Sequence, residues 1–136
     1  VTDATDLLAR VTKVSRTAAF NNWLDLQIVT VSAGEVELRV QWRPEFAQYN
    51  GFLHASIVGG LIDTACGFAA YTVVGAVLAS QFSVRCLRPA LAEVFVVRGH
   101  VLKPGRQQIF ATAELFGLEA PAKPFAVGDA ILVPAA

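Results

Sequence analysis

His54-Ala55-Ser56-Ile57-Val58-Gly59-Gly60-Leu61-Ile62-Asp63-Thr64-Ala65-Cys66-Gly67-Phe68-Ala69-Ala70-Tyr71-Thr72 is the stretch on which the reading of this chain turns. From Ala55 to Ala79 the only charged residue is Asp63, and a run of that length suffices to span a bilayer. A carboxylate near the middle of a membrane helix costs about 2.5–3.5 kcal/mol on insertion scales, and Gly59, Gly60, Gly67 and Gly75 add no hydrophobicity to offset it. Everything after Gly75 has the short, β-rich segments of a sheet rather than a second span. The run is therefore expected to be a helix of a soluble fold, starting around His54 to Ser56, ending near Thr72, and buried nearly all round. Its glycines leave room for another backbone or a ligand, or fit it to the curvature of a sheet.

On the amino-terminal side, Leu7, Leu8, Val11 and Val14 recur at spacings of three and four behind Thr2 or Asp3 as cap. That pattern predicts an amphipathic helix over Asp3 to Ala19. A strand is expected from Trp23 to Val31. Ser32-Ala33-Gly34 supplies turn chemistry, and Val36, Leu38 and Val40 then alternate with Glu35, Glu37, Arg39 and Gln41, as in a hairpin with one wet face. Pro44 ends the pairing, and a loop through Gln48, Asn50 and Gly51 leads into the apolar helix. Beyond it, strands are expected over Leu78 to Leu87, Val94 to Leu102, Gln108 to Phe116 and Phe125 to Val133, joined by hairpin-length connections. The order predicts an α+β domain over residues 1–136, with an antiparallel six-stranded sheet wrapped around one long central helix and an N-terminal helix at its edge.

At 136 residues, 54% hydrophobic and 16% charged, the chain suits one domain and is too apolar for a disordered segment. Eleven basic and eleven acidic residues leave no cationic excess to draw it to nucleic acid or an anionic membrane. Cys66 and Cys86 have no partners at zinc spacing and are too few for a disulfide scaffold, which fits a cytoplasmic setting. Asp3, Asp6 and Arg10 interrupt the first apolar stretch, which therefore does not read as a signal peptide. No metal-ligand cluster stands out, and neither a metal nor a cofactor is expected.

Polar groups inside the apolar segment carry the chemistry. Asp63, among Leu61, Ile62, Ala65 and Cys66, is either paired or a desolvated carboxylate, and a desolvated one is a better base and nucleophile. His54 sits at the mouth of the helix, where unpaired N–H groups and the positive dipole end suit a developing oxyanion; the bland reading is a cap. Nine residues separate the two, about two and a half turns, so they face opposite ways. A two-fold dimer with such helices side by side would bring Asp63 of one subunit toward His54 of the other. A homodimer is expected on that ground. His100 in its strand, and Cys66 and Cys86 as core packing, are read as structural.

At Gln48, Gly51, His54 and Asp63 the sequence resembles the hotdog-fold acyl-CoA thioesterases of the PaaI-like and 4-hydroxybenzoyl-CoA thioesterase branch. In that family an Asn or Gln precedes a Gly, then His-Gly-Gly, then an acid nine residues after the His. Leu87-Arg88-Pro89-Ala90, Val101-Leu102-Lys103-Pro104-Gly105-Arg106 and Ala126-Val127-Gly128 extend the likeness over about residues 35–133. The resemblance implies hydrolysis of an acyl- or aryl-CoA thioester, with Asp63 as nucleophile or general base. Gln48, or its rival Asn50, would orient water or carbonyl, and the N–H of Ala55 would polarise the thioester oxygen. Asn50, Gly51 and Ser80 would be substrate-binding, with Arg85, Arg88, Lys103 and Arg106 as candidate cations for the nucleotide end of coenzyme A. Phe46, Phe52, Leu61 and Phe82 are the expected acyl lining. The assembly implied is a dimer or a dimer of dimers.

Two positions depart from the pattern: Ala55-Ser56 replaces Gly-Gly, and Ala79 stands where Thr or Ser is frequent. Ser56 as a cap of the first turn, and Ser80 or Ser83 as the missing hydroxyl, are the expected consequences. The alternatives are a non-catalytic acyl-CoA or lipid-binding protein of the same fold, and, ranked last, an acyl-thioester dehydratase or hydratase.

Overall fold

The computed structural model describes residues 3–135. Helix α1 (Ala4–Ser15) is capped by the Asp3 carboxylate, which accepts the Asp6 N–H at 2.8 Å, and it buries Leu7 and Val11. Thr2, the other expected cap, lies outside the described residues. The helix stops short of Ala19 because the Thr17 N–H and hydroxyl both turn back to the Val14 carbonyl. A six-residue helix, α2 (Ala19–Leu24), then occupies the place where a strand was expected to begin at Trp23. Burial of Asn21 and Leu24 overrides the strand preference of Phe20 and Trp23, and Asp25, at φ 53°, ends the helix.

The first hairpin follows as β1 (Gln27–Ser32) and β2 (Glu35–Gln41), turning through Gly34 at φ 81°. Val36, Leu38 and Val40 point inward. Pro44–Phe46 form a single 3-10 turn, and the long helix α3 runs from Ala55 to Val74. Strands β3 (Val77–Cys86), β4 (Val94–Lys103), β5 (Ile109–Gly117) and β6 (Ala126–Pro134) complete the chain, close to the expected bounds.

All strand pairs are antiparallel, in the order β1-β2-β4-β5-β6-β3. Only β4, β5 and β6 form the expected run of hairpins. The connection from β3 to β4 is not one of them, since β3 crosses to the far edge and pairs with β6. This strand hydrogen-bonds on one side only and is exposed along most of its length.

Helix α3 packs on the sheet, chiefly on β3 to β6. It is long and apolar enough to cross a bilayer, yet here Ile57, Val58, Leu61, Ile62, Ala65, Cys66, Phe68, Ala69 and Ala70 are buried in the protein's own core. The contact is close at two strand glycines. A β-carbon on Gly99 would lie 2.6 Å from the Ala65 carbonyl carbon, and one on Gly128 would lie 2.7 Å from Ile62 Cγ2. Contrary to the expectation of burial all round, Gly59, Gly60, Asp63, Thr64 and Gly67 are only half-buried, because the sheet covers one side of the helix. The sheet around a central helix is the hotdog arrangement that the resemblance implies.

Candidate active site

A hydrogen-bonded loop delivers residues 48–54 to the start of α3. The Gln48 N–H donates to the Phe52 carbonyl at 2.8 Å, and the His54 N–H donates to the Phe46 carbonyl at 2.9 Å. Buried Phe46 and Leu53 anchor the two ends. Gly51, at φ 84°, takes the left-handed turn that a side chain would strain. The carboxamide oxygen of Gln48 accepts the Asn50 N–H and, at 3.4 Å, the Phe52 N–H, so the amide nitrogen is the end left for a ligand.

His54 caps α3. Its Nδ1 accepts the Ser56 N–H at 3.0 Å and lies 2.8 Å from the Ser56 hydroxyl, so the neutral ring carries its proton on Nε2. The capping role expected of Ser56 therefore belongs to His54. The Ile57 and Val58 amides both reach the His54 carbonyl, leaving the Ala55 N–H as the first-turn donor without a protein acceptor among the described residues. That amide, at the positive end of a 20-residue helix, can stabilise an oxyanion.

A cleft of about 640 Å³ opens here, lined by Gln48, Asn50, Phe52, His54, Ala55 and Arg88 among others. Arg88 is the one proposed coenzyme A cation on this cleft. Lys103 and Arg106 sit in the β4–β5 turn at the opposite end of the sheet, because β4 leaves the cleft end at Val94 and reaches that turn at Lys103. Arg85 is exposed on β3, opposite Val127. The sequence reading missed Cys86, expected to be core, which is exposed and borders the cleft where β3 ends. Phe46 and Leu61, expected to line the acyl pocket, are closed in the core instead, while Phe52 and Phe82 remain accessible.

Asp63 stands apart from this group and does not line the cleft. Half-buried, it has a carboxyl pushed above the ordinary carboxylate range by desolvation, with no compensating cation or hydrogen bond among the described residues. The pairing that a structural carboxylate would show is missing among the described residues. Cys66, one turn further on, is fully buried, and burial, then the charges of Asp63 and Asp129, push its thiol up to about 12. That thiol is packing, as expected, and is not a nucleophile at neutral pH.

Ser80 and Ser83 are both committed to the sheet. The Ser80 hydroxyl donates to the Ile131 carbonyl at 3.2 Å, and that of Ser83 donates to Asp129 Oδ1 at 2.8 Å. His100 is exposed and lies 3.3 Å from Glu35, across the β2–β4 pair. Nearby, Glu37 bridges Arg39 and Arg98 at 3.0 and 2.9 Å.

Residues 50–120 match the family model of the thioesterase superfamily. A thioesterase family protein from Silicibacter pomeroyi is 34% identical, with 93% of this chain and 96% of that one covered and a TM-score of 0.87. The PaaI protein from the phenylacetic acid degradation operon of E. coli is 17% identical, with 98% and 97% covered and a TM-score of 0.88. Zebrafish thioesterase superfamily member 2 is 19% identical, with 99% and 100% covered and a TM-score of 0.85. The latter two likenesses are of fold. No curated protein matches the chain by sequence.

Proposed function

The chain belongs to the thioesterase superfamily, and on that footing we propose that it hydrolyses an acyl- or aryl-CoA thioester to the free acid and coenzyme A. The observation that carries this reading is the state of Asp63: a half-buried carboxylate with no partner among the described residues, raised above its ordinary range by desolvation. Such a group is poised to take a proton from water.

The site is formed between two copies of the chain. In one subunit Asp63 lies nine residues from His54, about 13 Å along the helix and on its opposite face. With two α3 helices antiparallel about a two-fold axis beside Val58 and Gly59, Asp63 comes level with the partner subunit's His54 and Ala55. The exposed edge of β3 supports the same pairing, since an unprotected ten-residue edge strand invites a second copy. Pairing of dimers into a tetramer could then use the charged outer sheet face around Glu37, Arg39 and Arg98.

In this arrangement the thioester oxygen accepts the Ala55 N–H at the helix start, and Gln48, through its amide nitrogen, or Asn50 orients carbonyl or water. Water adds to the carbonyl carbon as Asp63 takes its proton. The tetrahedral intermediate then expels the thiol sulfur, the C–S bond breaks, and the proton passes to the departing thiolate. Direct attack by Asp63 would instead give a mixed anhydride that water opens. Hydrolysis in heavy-oxygen water separates the two, because only the anhydride route can place label in the Asp63 carboxylate on a single turnover. Arg88, on the same cleft, would meet the coenzyme A phosphates. Neither route calls for a metal or further cofactor, and a cytoplasmic setting suits the substrate.

The direct test is free-thiol release from short, medium, long and aryl acyl-CoAs by the wild type and Asp63→Asn. Release that depends on Asp63 supports the proposal; equal release by both removes Asp63 from the chemistry. One observation favours a binding-only reading: with the Ser56 amide held by His54, a single first-turn donor remains for the oxyanion. Retained acyl-CoA binding without thiol release across the panel would select it.

A further inference from the structure

Two aromatic rings rest on the adjacent glycines one turn before Asp63. A β-carbon on Gly60 would lie 3.0 and 3.1 Å from Phe20 ring atoms, and one on Gly59 would lie 3.6 Å from Phe82 Cε2. Successive helix positions are about 100° apart, so the rings mark the two sides of a sector of that width. Asp63 projects about 40° round from Gly59, between them and one turn further along. Phe20 and Phe82 remain 42% and 46% exposed, so neither is consumed by the core.

The Phe20 side of this sector is fixed from behind. Phe20 stacks with Trp23 at 6.2 Å between centroids, and Trp23 packs edge-on against fully buried Phe46 at 5.1 Å. The Arg43 guanidinium lies 4.4 Å from the Phe46 ring and 5.3 Å from the Trp23 ring, and its Nη2 donates to the Trp23 carbonyl at 2.5 Å. Helix α2 thus holds an aromatic block against the half-buried face of α3. A β-carbon at Gly60 would press on the Phe20 ring, which would have to give by a few tenths of an ångström.

We infer that Phe20 and Phe82 are the side walls of the acyl slot leading to Asp63, and that Phe20 is the specificity-determining residue that restricts the slot to flat or unbranched acyl groups. The inference rests on the thioesterase reading for the identity of the ligand, and on the two ring contacts for its shape. A rigid wall discriminates by volume: each methyl group that must be squeezed past it costs about ten-fold or more in relative specificity. An acyl group branched beside the carbonyl meets Phe20, whereas a straight chain passes between the rings.

The test compares butanoyl-CoA with the branched 2,2-dimethylpropanoyl-CoA for the wild type, Phe20→Ala, Phe20→Leu and Asp63→Asn, with thermal melting to establish that each variant folds. Wild type is expected to favour the straight chain by about ten-fold or more in kcat/KM, and Phe20→Ala to shrink that ratio by a similar factor, Phe20→Leu falling between. Gly60→Ala should push the ring across the slot and raise the ratio, and the double variant Phe20→Ala with Gly60→Ala should relieve it. An unchanged ratio in folded Phe20→Ala, with Asp63→Asn inactive on both substrates, overturns the wall and leaves the thioesterase standing. If Asp63→Asn hydrolyses like wild type, or nothing is hydrolysed, the mechanism fails. The wall is then judged by calorimetric affinities for the same two thioesters, where equal ratios in wild type and Phe20→Ala overturn it.

Discussion

Replacing Gly99 by alanine tests the idea that the position of the helix is set by backbone contact with the sheet. The added methyl would lie 2.6 Å from the Ala65 carbonyl carbon and 3.1 Å from Ala65 Cβ, where ordinary contacts begin at 3.4 Å. The obstacle is helix backbone, so no rotamer change relieves it, and α3 must lift off β4 by about 1 Å. Overpacking of this kind costs about 1–3 kcal/mol, and the rigid partner places Gly99→Ala near the upper end. For a domain of this size that corresponds to a fall in Tm of about 10 °C. Asp63 lies two residues before Ala65, and a displacement of about 1 Å in a reacting group can cost about a hundred-fold in rate. The assay is urea denaturation with thiol-release kinetics on the same preparations. A folded Gly99→Ala protein with less than about 1 kcal/mol lost would refute the close-contact argument, and unchanged kcat alongside it would separate strand position from catalysis.

Asp63→Asn should lower thiol release by about a hundred-fold or more while leaving acyl-CoA binding by calorimetry intact; wild-type rates would end the general-base assignment. Because burial raises the Asp63 carboxyl, its contribution to stability is greatest below the unfolded carboxylate value and is lost as pH rises toward its raised folded value. Asp63→Asn should therefore melt no lower than wild type at neutral pH, and a clear loss would reveal a structural partner. Gly51→Ala places a side chain at φ 84° with nothing within 4 Å of its β-carbon, so the cost is backbone strain of about 1–2 kcal/mol, read as a lower urea midpoint; an unchanged midpoint would show that the loop adapts. Leu78→Lys on the exposed edge strand should shift the protein toward monomer in sedimentation velocity and reduce hydrolysis with it, whereas an intact dimer would place the seam elsewhere.

The long helix was legible because nothing but a core or a bilayer accommodates so apolar a run, and Asp63 and the glycines argued against the bilayer. Strands β2 and β4 to β6 were legible from short-range pattern and turn residues. The place of β3 was not, since pairing Cys86 with Ala126 depends on which distant edge is free, and adjacent strands in sequence read as hairpins. Helix α2 was hidden because six residues with Phe20 and Trp23 carry a strand-like composition, while their conformation is decided by what they pack against. At the site, Gln48, His54, Ala55 and Asp63 could be picked from residue type and spacing. Their division into a cleft group and a lone carboxylate needed the fold, as did the exposure of Cys86 and the separation of Lys103 and Arg106 from Arg88.

The crossing of β3 to the far edge also orders events in time. Its partner β6 is made after the other five strands of this sheet, so closing β3 onto it spans loops of about 40 to 57 residues, a slow and non-local step compared with the β4 to β6 meander. Until then β3 trails from α3 with Leu78 and Phe82 bare and both of its edges unpaired. The strand proposed to join two finished subunits is thus also the one most open to premature pairing, and docking of β6 divides productive assembly from aggregation.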